Sequence, residues 1–157
     1  MAAEPATTAT PEELSKVLVK QQYSMIEAHA SYLGWDCRLE DYGDYLVLYV
    51  RIVKPGGRVF LIRIECDDYP RQAPQVRFID PDGWDDADRQ THVDPSFHPR
   101  GSWIAADRGP LPVMCLRGHR DYYRKSWHTG WTNPPDHLDC LSQLVVNIRN
   151  AIHDHWN

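Results

Sequence analysis

The sequence has no apolar run approaching the roughly 20 residues of a membrane-spanning helix, which argues against a membrane protein of that kind. It also lacks a secretory leader: MAAEPATTATPEE carries neither a basic start nor an apolar centre, so the expected location is cytoplasmic. Paired cysteines are missing. Cys37, Cys66, Cys115 and Cys140 stand at wide spacings that fit neither a disulfide scaffold nor a C-x-x-C zinc module, and all four are read as reduced thiols. Positive charge is short as well. A net charge of -5 argues against nucleic-acid binding, which draws on clustered Lys and Arg, and leaves proteins and small molecules as partners. Lysine occurs only at positions 16, 20, 54 and 125, the arginine-biased usage of a GC-rich bacterial gene. There is no internal repeat.

What is present is ordinary for one globular domain. A chain of 157 residues buries roughly 70% of its unfolded surface on folding, enough for a single core without staples. Its 42% apolar and 25% charged residues are those of a soluble domain. Residues 1–9, rich in Ala, Thr, Pro and Glu, read as a disordered tail, and residues 10–157 as the domain. Thr10-Pro11-Glu12-Glu13 has the signature of a helix start: an N-cap, a proline at the first helical position and an acid closing a capping box. Leu14, Val17, Leu18, Gln21, Met25, Ala28 and Tyr32 follow at helical spacing, and Gly34 stands where a left-handed C-cap is wanted.

From Trp35 the period falls from 3.6 to 2. Leu46, Leu48, Val50 and Ile52 alternate with Tyr45, Val47, Tyr49 and Arg51; Lys54-Pro55-Gly56-Gly57 is a turn; Phe60, Ile62, Ile64 and Cys66 share the face opposite Arg63 and Glu65. Asp67 to Pro74 is a second bend, after which Val76 and Phe78 face the core. Short connections between consecutive strands make an antiparallel meander, and the class is α+β. Asp80 to Pro112, rich in Asp, Gly, Pro, Trp and His, keeps no period, and a loop of that length in a compact domain is a place to look for function. Asn133-Pro134 is expected to cap a last helix whose stripe of Leu138, Leu141, Leu144, Val145, Ile148 and Ile152 packs across the sheet.

The segment from Gly56 to Phe78 resembles the central run of ubiquitin-conjugating enzymes. In that family a Gly-Gly turn, a strand, a Tyr-Pro, a proline-rich bend and Val-x-Phe follow in order, here Gly56, Gly57, Phe60, Ile62, Ile64, Tyr69, Pro70, Pro74, Val76 and Phe78. Phe97-His98-Pro99 resembles the start of the family's His-Pro-Asn motif, Met114-Cys115-Leu116 its active-site cysteine, and Trp131-Thr132-Asn133-Pro134 its Trp-Ser-Pro helix entry. The chain departs from the pattern in having Arg100 where the family has Asn, and an inserted, longer stretch before Cys115. The resemblance is to a short, divergent, bacterial-type member.

It implies a ubiquitin-conjugating-like fold and a transferase without cofactor. An adenylating activating enzyme would pass a ubiquitin-like protein to Cys115 as a thioester, and the amine of a target protein would then receive it. A thiol suits both steps as nucleophile and leaving group, and groups that favour its anion assist. Arg100, Arg117 and His119 are the cationic or hydrogen-bonding residues nearest Cys115 by sequence or motif. Arg100, His119 and His128 are the candidates for stabilising the oxyanion in place of the family's Asn, while His98 and Pro99 are read as structuring the loop. A catalytically inactive relative that only binds a ubiquitin-like protein is the alternative. The histidines raise a third reading, a zinc hydrolase built on His92, His98, Cys115 and His119, but their spacing matches no known ligand pattern and no metal is expected.

Overall fold

The computed structural model describes residues 9–57, 59–79, 103–104, 113–114, 116–123, 130–132, 135 and 140–155. The chain opens with helix α1, Pro11–Leu33, entered through the anticipated capping box. The Glu13 amide donates to the Thr10 hydroxyl at 3.2 Å and the Thr10 amide to the Glu13 carboxylate at 2.7 Å, which satisfies two of the donors a helix start leaves open. At the other end Gly34 adopts φ 72°, ψ 30° and its N–H bonds Ala30, a left-handed stop that glycine takes without steric cost.

Four strands follow, β1 (Asp36–Asp41), β2 (Leu46–Val53), β3 (Val59–Glu65) and β4 (Gln75–Ile79), paired antiparallel in the order β1-β2-β3-β4. The β2–β3 turn needs φ of 101° at Gly56 and 89° at Gly57, which explains the glycine pair. Leu46, Leu48, Val50, Ile52, Phe60, Ile62, Ile64 and Val76 line one face and form a single core with Val19, Ile26 and Ala30 of α1. The last helix, α3 (Leu141–His155), adds Leu141, Leu144, Val145, Ile148 and Ile152 to the same core. The chain is therefore α+β, with an N-terminal helix, a four-stranded antiparallel sheet and a C-terminal helix.

The opposite face is equally dry. Val47, Tyr49, Leu61 and Ile79 make a second buried cluster, with Tyr45 packed against it. Arg38, Tyr49, Arg63 and Arg77 stand in cross-strand register over this face. Arg63 is paired with Glu65 at 2.5 Å, the Arg38 guanidinium lies 5.4 Å above the Tyr49 ring, and the phenols of Tyr42 and Tyr49 share a 2.8 Å hydrogen bond. Burial pushes the Tyr49 hydroxyl up to about 12.

One expectation is corrected, and one is completed. The residues read at helical spacing along α1 mostly point outward: Leu14, Val17, Met25 and Tyr32 are exposed, Leu18 is half-buried against the core, and the buried positions are Val19, Ile26 and Ala30. The helix packs against α3 and β1, and the small Ala30 and the polar Gln22 are what that close contact accepts. The last helix also starts later than Asn133-Pro134. It begins at Leu141, after a bend at Cys140, and Pro135 is non-helical. Its first free N–H, that of Leu141, is taken by the Gln22 side-chain carbonyl at 2.6 Å, so the cap comes from α1, far away in sequence. Asn133, Pro134 and Leu138 lie outside the described residues.

Two further pieces complete the description. Trp103–Ile104 (β5) and Val113–Met114 (β6) pair antiparallel as Trp103 with Met114 and Ile104 with Val113, a short ladder that joins the stretch expected to have no period to the segment directly after it. Arg120–Tyr123 forms the single turn α2. No helix among the described residues is long and apolar enough to cross a membrane.

Candidate active-site region

The link from β3 to β4 is a compact knot. Asp68 takes φ 60°, a left-handed conformation that costs an ordinary residue on the order of 1 kcal/mol. Its carbonyl and carboxylate hold the turn by accepting from the Gln72 amide at 2.9 Å and the Gln72 side chain at 3.0 Å, and Arg71 pairs with the same carboxylate. The Tyr69–Pro70 bond is cis. Tyr69 is buried, and its hydroxyl meets the Gln22 amide group at 2.9 Å. Burial pushes that hydroxyl up to about 12.

The segment that follows Cys115 is fastened to this knot. The Arg120 backbone N–H donates to Pro74 at 2.9 Å. Its guanidinium donates to the Ala73 carbonyl at 2.9 Å, to the Asp67 carbonyl at 3.1 Å and to both Asp67 carboxylate oxygens at 2.8 and 3.2 Å. Such a fork uses the planar geometry that lysine lacks. His119 is 1% exposed, and its Nδ1 accepts the Val76 N–H at 3.2 Å. A backbone N–H can only donate, so the ring proton belongs on Nε2, although Nδ1 also lies 3.4 Å from the Pro74 carbonyl. The Gly118 N–H donates to the Tyr123 hydroxyl at 3.0 Å. Trp131 closes the far side: its indole N–H donates to the Pro70 carbonyl at 2.7 Å, and its ring lies 6.1 Å from Tyr69 and 5.2 Å from Tyr123. Turn α2 lies against both β4 and β6, so described chain on either side of position 115 is tied to the sheet or to its partner ladder.

Of the cationic and catalytic candidates, His119 and Arg117 lie among the described residues; His119 is built into a backbone clamp, and Arg117 is half-buried. Cys115, Arg100, His128, His98 and Pro99 lie outside the described residues, as does His92. Among the described residues no group of three His, Cys, Asp or Glu side chains is placed to hold a metal.

The other thiols differ in their surroundings. Cys66 is buried under the knot, and its Sγ lies 3.9 Å from the Ile64 carbonyl. Burial pushes its thiol far up, and the nearby Asp67 adds to that. Cys37, half-buried in β1, is also pushed up, first by burial. Both sites disfavour the thiolate that a nucleophile needs. Cys140 sits half-buried at the α3 entry, 3.3 Å from the Ser142 hydroxyl.

Sequence reasoning missed Arg120 and Gln22, the two side chains that join most elements. An arginine in RGHRDYY and a glutamine in KQQYS carry no local mark of partners far along the chain. A groove of about 430 Å³ also opens between the start of α1 and the knot, walled by Leu14, Leu18, Tyr45, Tyr69 and Pro70. Among the described residues no histidine or cysteine lines it. No family model matches this chain, and neither a curated protein nor a solved structure does.

Proposed function

We propose that the chain is a conjugating enzyme for a ubiquitin-like protein, with a ubiquitin-conjugating-like fold and Cys115 as the thioester-bearing residue. The order of helix, four-stranded meander and final helix supports this reading, together with the resemblance between Gly56 and Phe78. The observation that carries it is the fastening of Leu116–Tyr123 to the β3–β4 knot by His119 and Arg120. A thiol that must meet two large proteins in turn gains from a backbone held by a rigid scaffold. The raised Cys66 and Cys37 thiols are poor substitutes.

In the first step the Cys115 thiolate attacks the thioester carbonyl on the activating enzyme. A new carbon–sulfur bond forms, and the activating enzyme's thiolate leaves. In the second step a target amine attacks the Cys115 thioester, an amide forms, the amine's proton passes to a base or to water, and the Cys115 thiolate departs. Each step passes through an oxyanion that needs a donor. Arg100, His119 and His128 are the candidates. His119 has its Nδ1 committed to Val76.

The test combines the chain with an activating enzyme and its ubiquitin-like protein. A reductant-sensitive adduct should form, vanish in Cys115→Ala and persist as a reductant-resistant ester in Cys115→Ser. An adduct that survives Cys115→Ala sinks the assignment. Arg100 in place of the family's Asn favours a second reading, a non-catalytic relative that binds a ubiquitin-like protein. Alkylation of Cys115 by iodoacetamide no faster than that of buried Cys66 would select it.

A further inference from the structure

The outward face of α1 is unusual for a surface helix. Leu14 is 58% exposed, Val17 53%, Met25 55% and Tyr32 88%. With exposed Gln21 and Ala28 between them, they form one line whose steps are of three or four residues. This is the spacing of one continuous face of a helix, and it lies away from the buried face of Val19, Ile26 and Ala30. Isolated exposed apolar residues are common, but a contiguous line of large ones marks a contact surface.

The line is complementary to itself in one orientation. When two α1 helices are set antiparallel about a two-fold axis level with Tyr23, Leu14 of one faces Tyr32 of the other, Gln21 faces Met25, and Val17 comes within one position of Ala28. Large residues then meet smaller ones along the seam. The same register brings Lys20 at the edge of the line opposite Glu27 of the second helix, and the symmetry does so twice. Along one helix these two residues are about 10 Å apart, too far to pair within a parallel, in-register dimer. Parallel pairing would also stack Tyr32 on Tyr32 and Ala28 on Ala28. Among the described residues the Glu27 carboxylate receives a long 3.4 Å bond from the Tyr23 hydroxyl. Lys16, by contrast, is already held by Asp41 and the Gly43 carbonyl.

We propose that two copies of this chain associate through their α1 helices, antiparallel, with the line from Leu14 to Tyr32 as the seam and Lys20–Glu27 as the crossed ion pairs. The interface is isologous, so it closes at a dimer. It is independent of the reading of Cys115.

Sedimentation velocity on the full chain over a range of concentrations tests it. The wild type should pass from monomer to dimer as concentration rises. Lys20→Glu and Glu27→Lys should each raise the dissociation constant about tenfold, because each replaces two attractive pairs with two repulsive ones. The double variant K20E/E27K should recover the wild-type constant, which separates a register-specific pairing from a general loss of stickiness. Both positions are exposed, and unchanged circular dichroism verifies that the variants fold. A wild type that stays monomeric at every concentration overturns the proposal and assigns the face to a different protein. So does a dimer whose constant is unchanged by either single reversal.

Discussion

Helices α1 and α3 carry apolar lines of similar regularity, yet α3 turns its line into the core and α1 turns its line outward. In α3, Leu141, Leu144, Val145, Ile148 and Ile152 are all buried, and they belong to the same core cluster as the strand residues Leu48, Val50 and Ile62. In α1 the core side is the thinner series Val19, Ile26 and Ala30, helped by half-buried Leu18 and Tyr23. Periodicity shows that a helix has a stripe; it does not say what the stripe meets. Helix α3 gives its whole apolar face to the core that the strands and α1 share. Helix α1 runs along α3 and β1, where small and polar side chains permit a close approach.

Core truncation should separate the two helices most sharply. Leu144→Ala leaves a cavity beneath the sheet and should cost about 3 kcal/mol in urea unfolding, whereas Met25→Ala in dilute monomer should change stability by less than about 0.5 kcal/mol. Equal losses would erase the distinction. A smaller effect is expected where the segment after Cys115 meets the knot. Arg120→Met leaves the Ala73 and Asp67 carbonyls without their donor and should cost about 2 kcal/mol. Its ion pair with Asp67 adds little, because that carboxylate is 41% exposed. Hydrogen exchange should quicken at His119 and Tyr122 before it does in β2; uniform quickening would mean that Arg120 supports the whole fold and not this segment.

The smallest effect concerns the link from α1 to the β1–β2 turn. The Lys16 ammonium, first, and the Gly43 N–H hold the Asp41 carboxyl below its ordinary value. A carboxyl depressed in the folded state contributes stability above its unfolded value and loses it as pH falls through the folded one. The contribution of Asp41 should therefore persist into mild acid and disappear only below the usual aspartate range. In Lys16→Met, the Asp41 titration midpoint followed by NMR should move up toward the ordinary value. An unmoved midpoint would assign the depression to Gly43 alone.

Much of the fold could be read from the sequence because its signals are local. The Thr10–Glu13 box, the Gly34 stop, the Gly56-Gly57 turn and the strand alternation each depend on residues within a few positions of one another. What escaped depends on distant partners. Nothing near Leu141 says that Gln22 will cap it, nothing near Arg120 announces Asp67, and alternation in β2 could not reveal that Val47 and Tyr49 are as dry as Leu48 and Val50. For the candidate site, Cys66 is legible as a packing thiol, because it shares the apolar face with Ile64 and is buried in the core. His119 was legible as a residue of interest, but its bond to Val76 was not. Cys115, His98, Pro99, Arg100 and His128 rest on the motif resemblance.

The Gln22 amide touches Tyr69 and receives the Leu141 N–H from 119 positions later in the chain. During synthesis α1 emerges first, but this contact has no partner until α3 has been made, a delay of roughly ten seconds at ordinary elongation rates. A helix exposing Leu14, Val17, Met25 and Tyr32 on one side must wait through that interval with Val19 and Ile26, on the other, covered by the strands alone. The early chain is thus the vulnerable one, and its dependence on the last helix makes loss of the C-terminal turn a defect felt at the N-terminus.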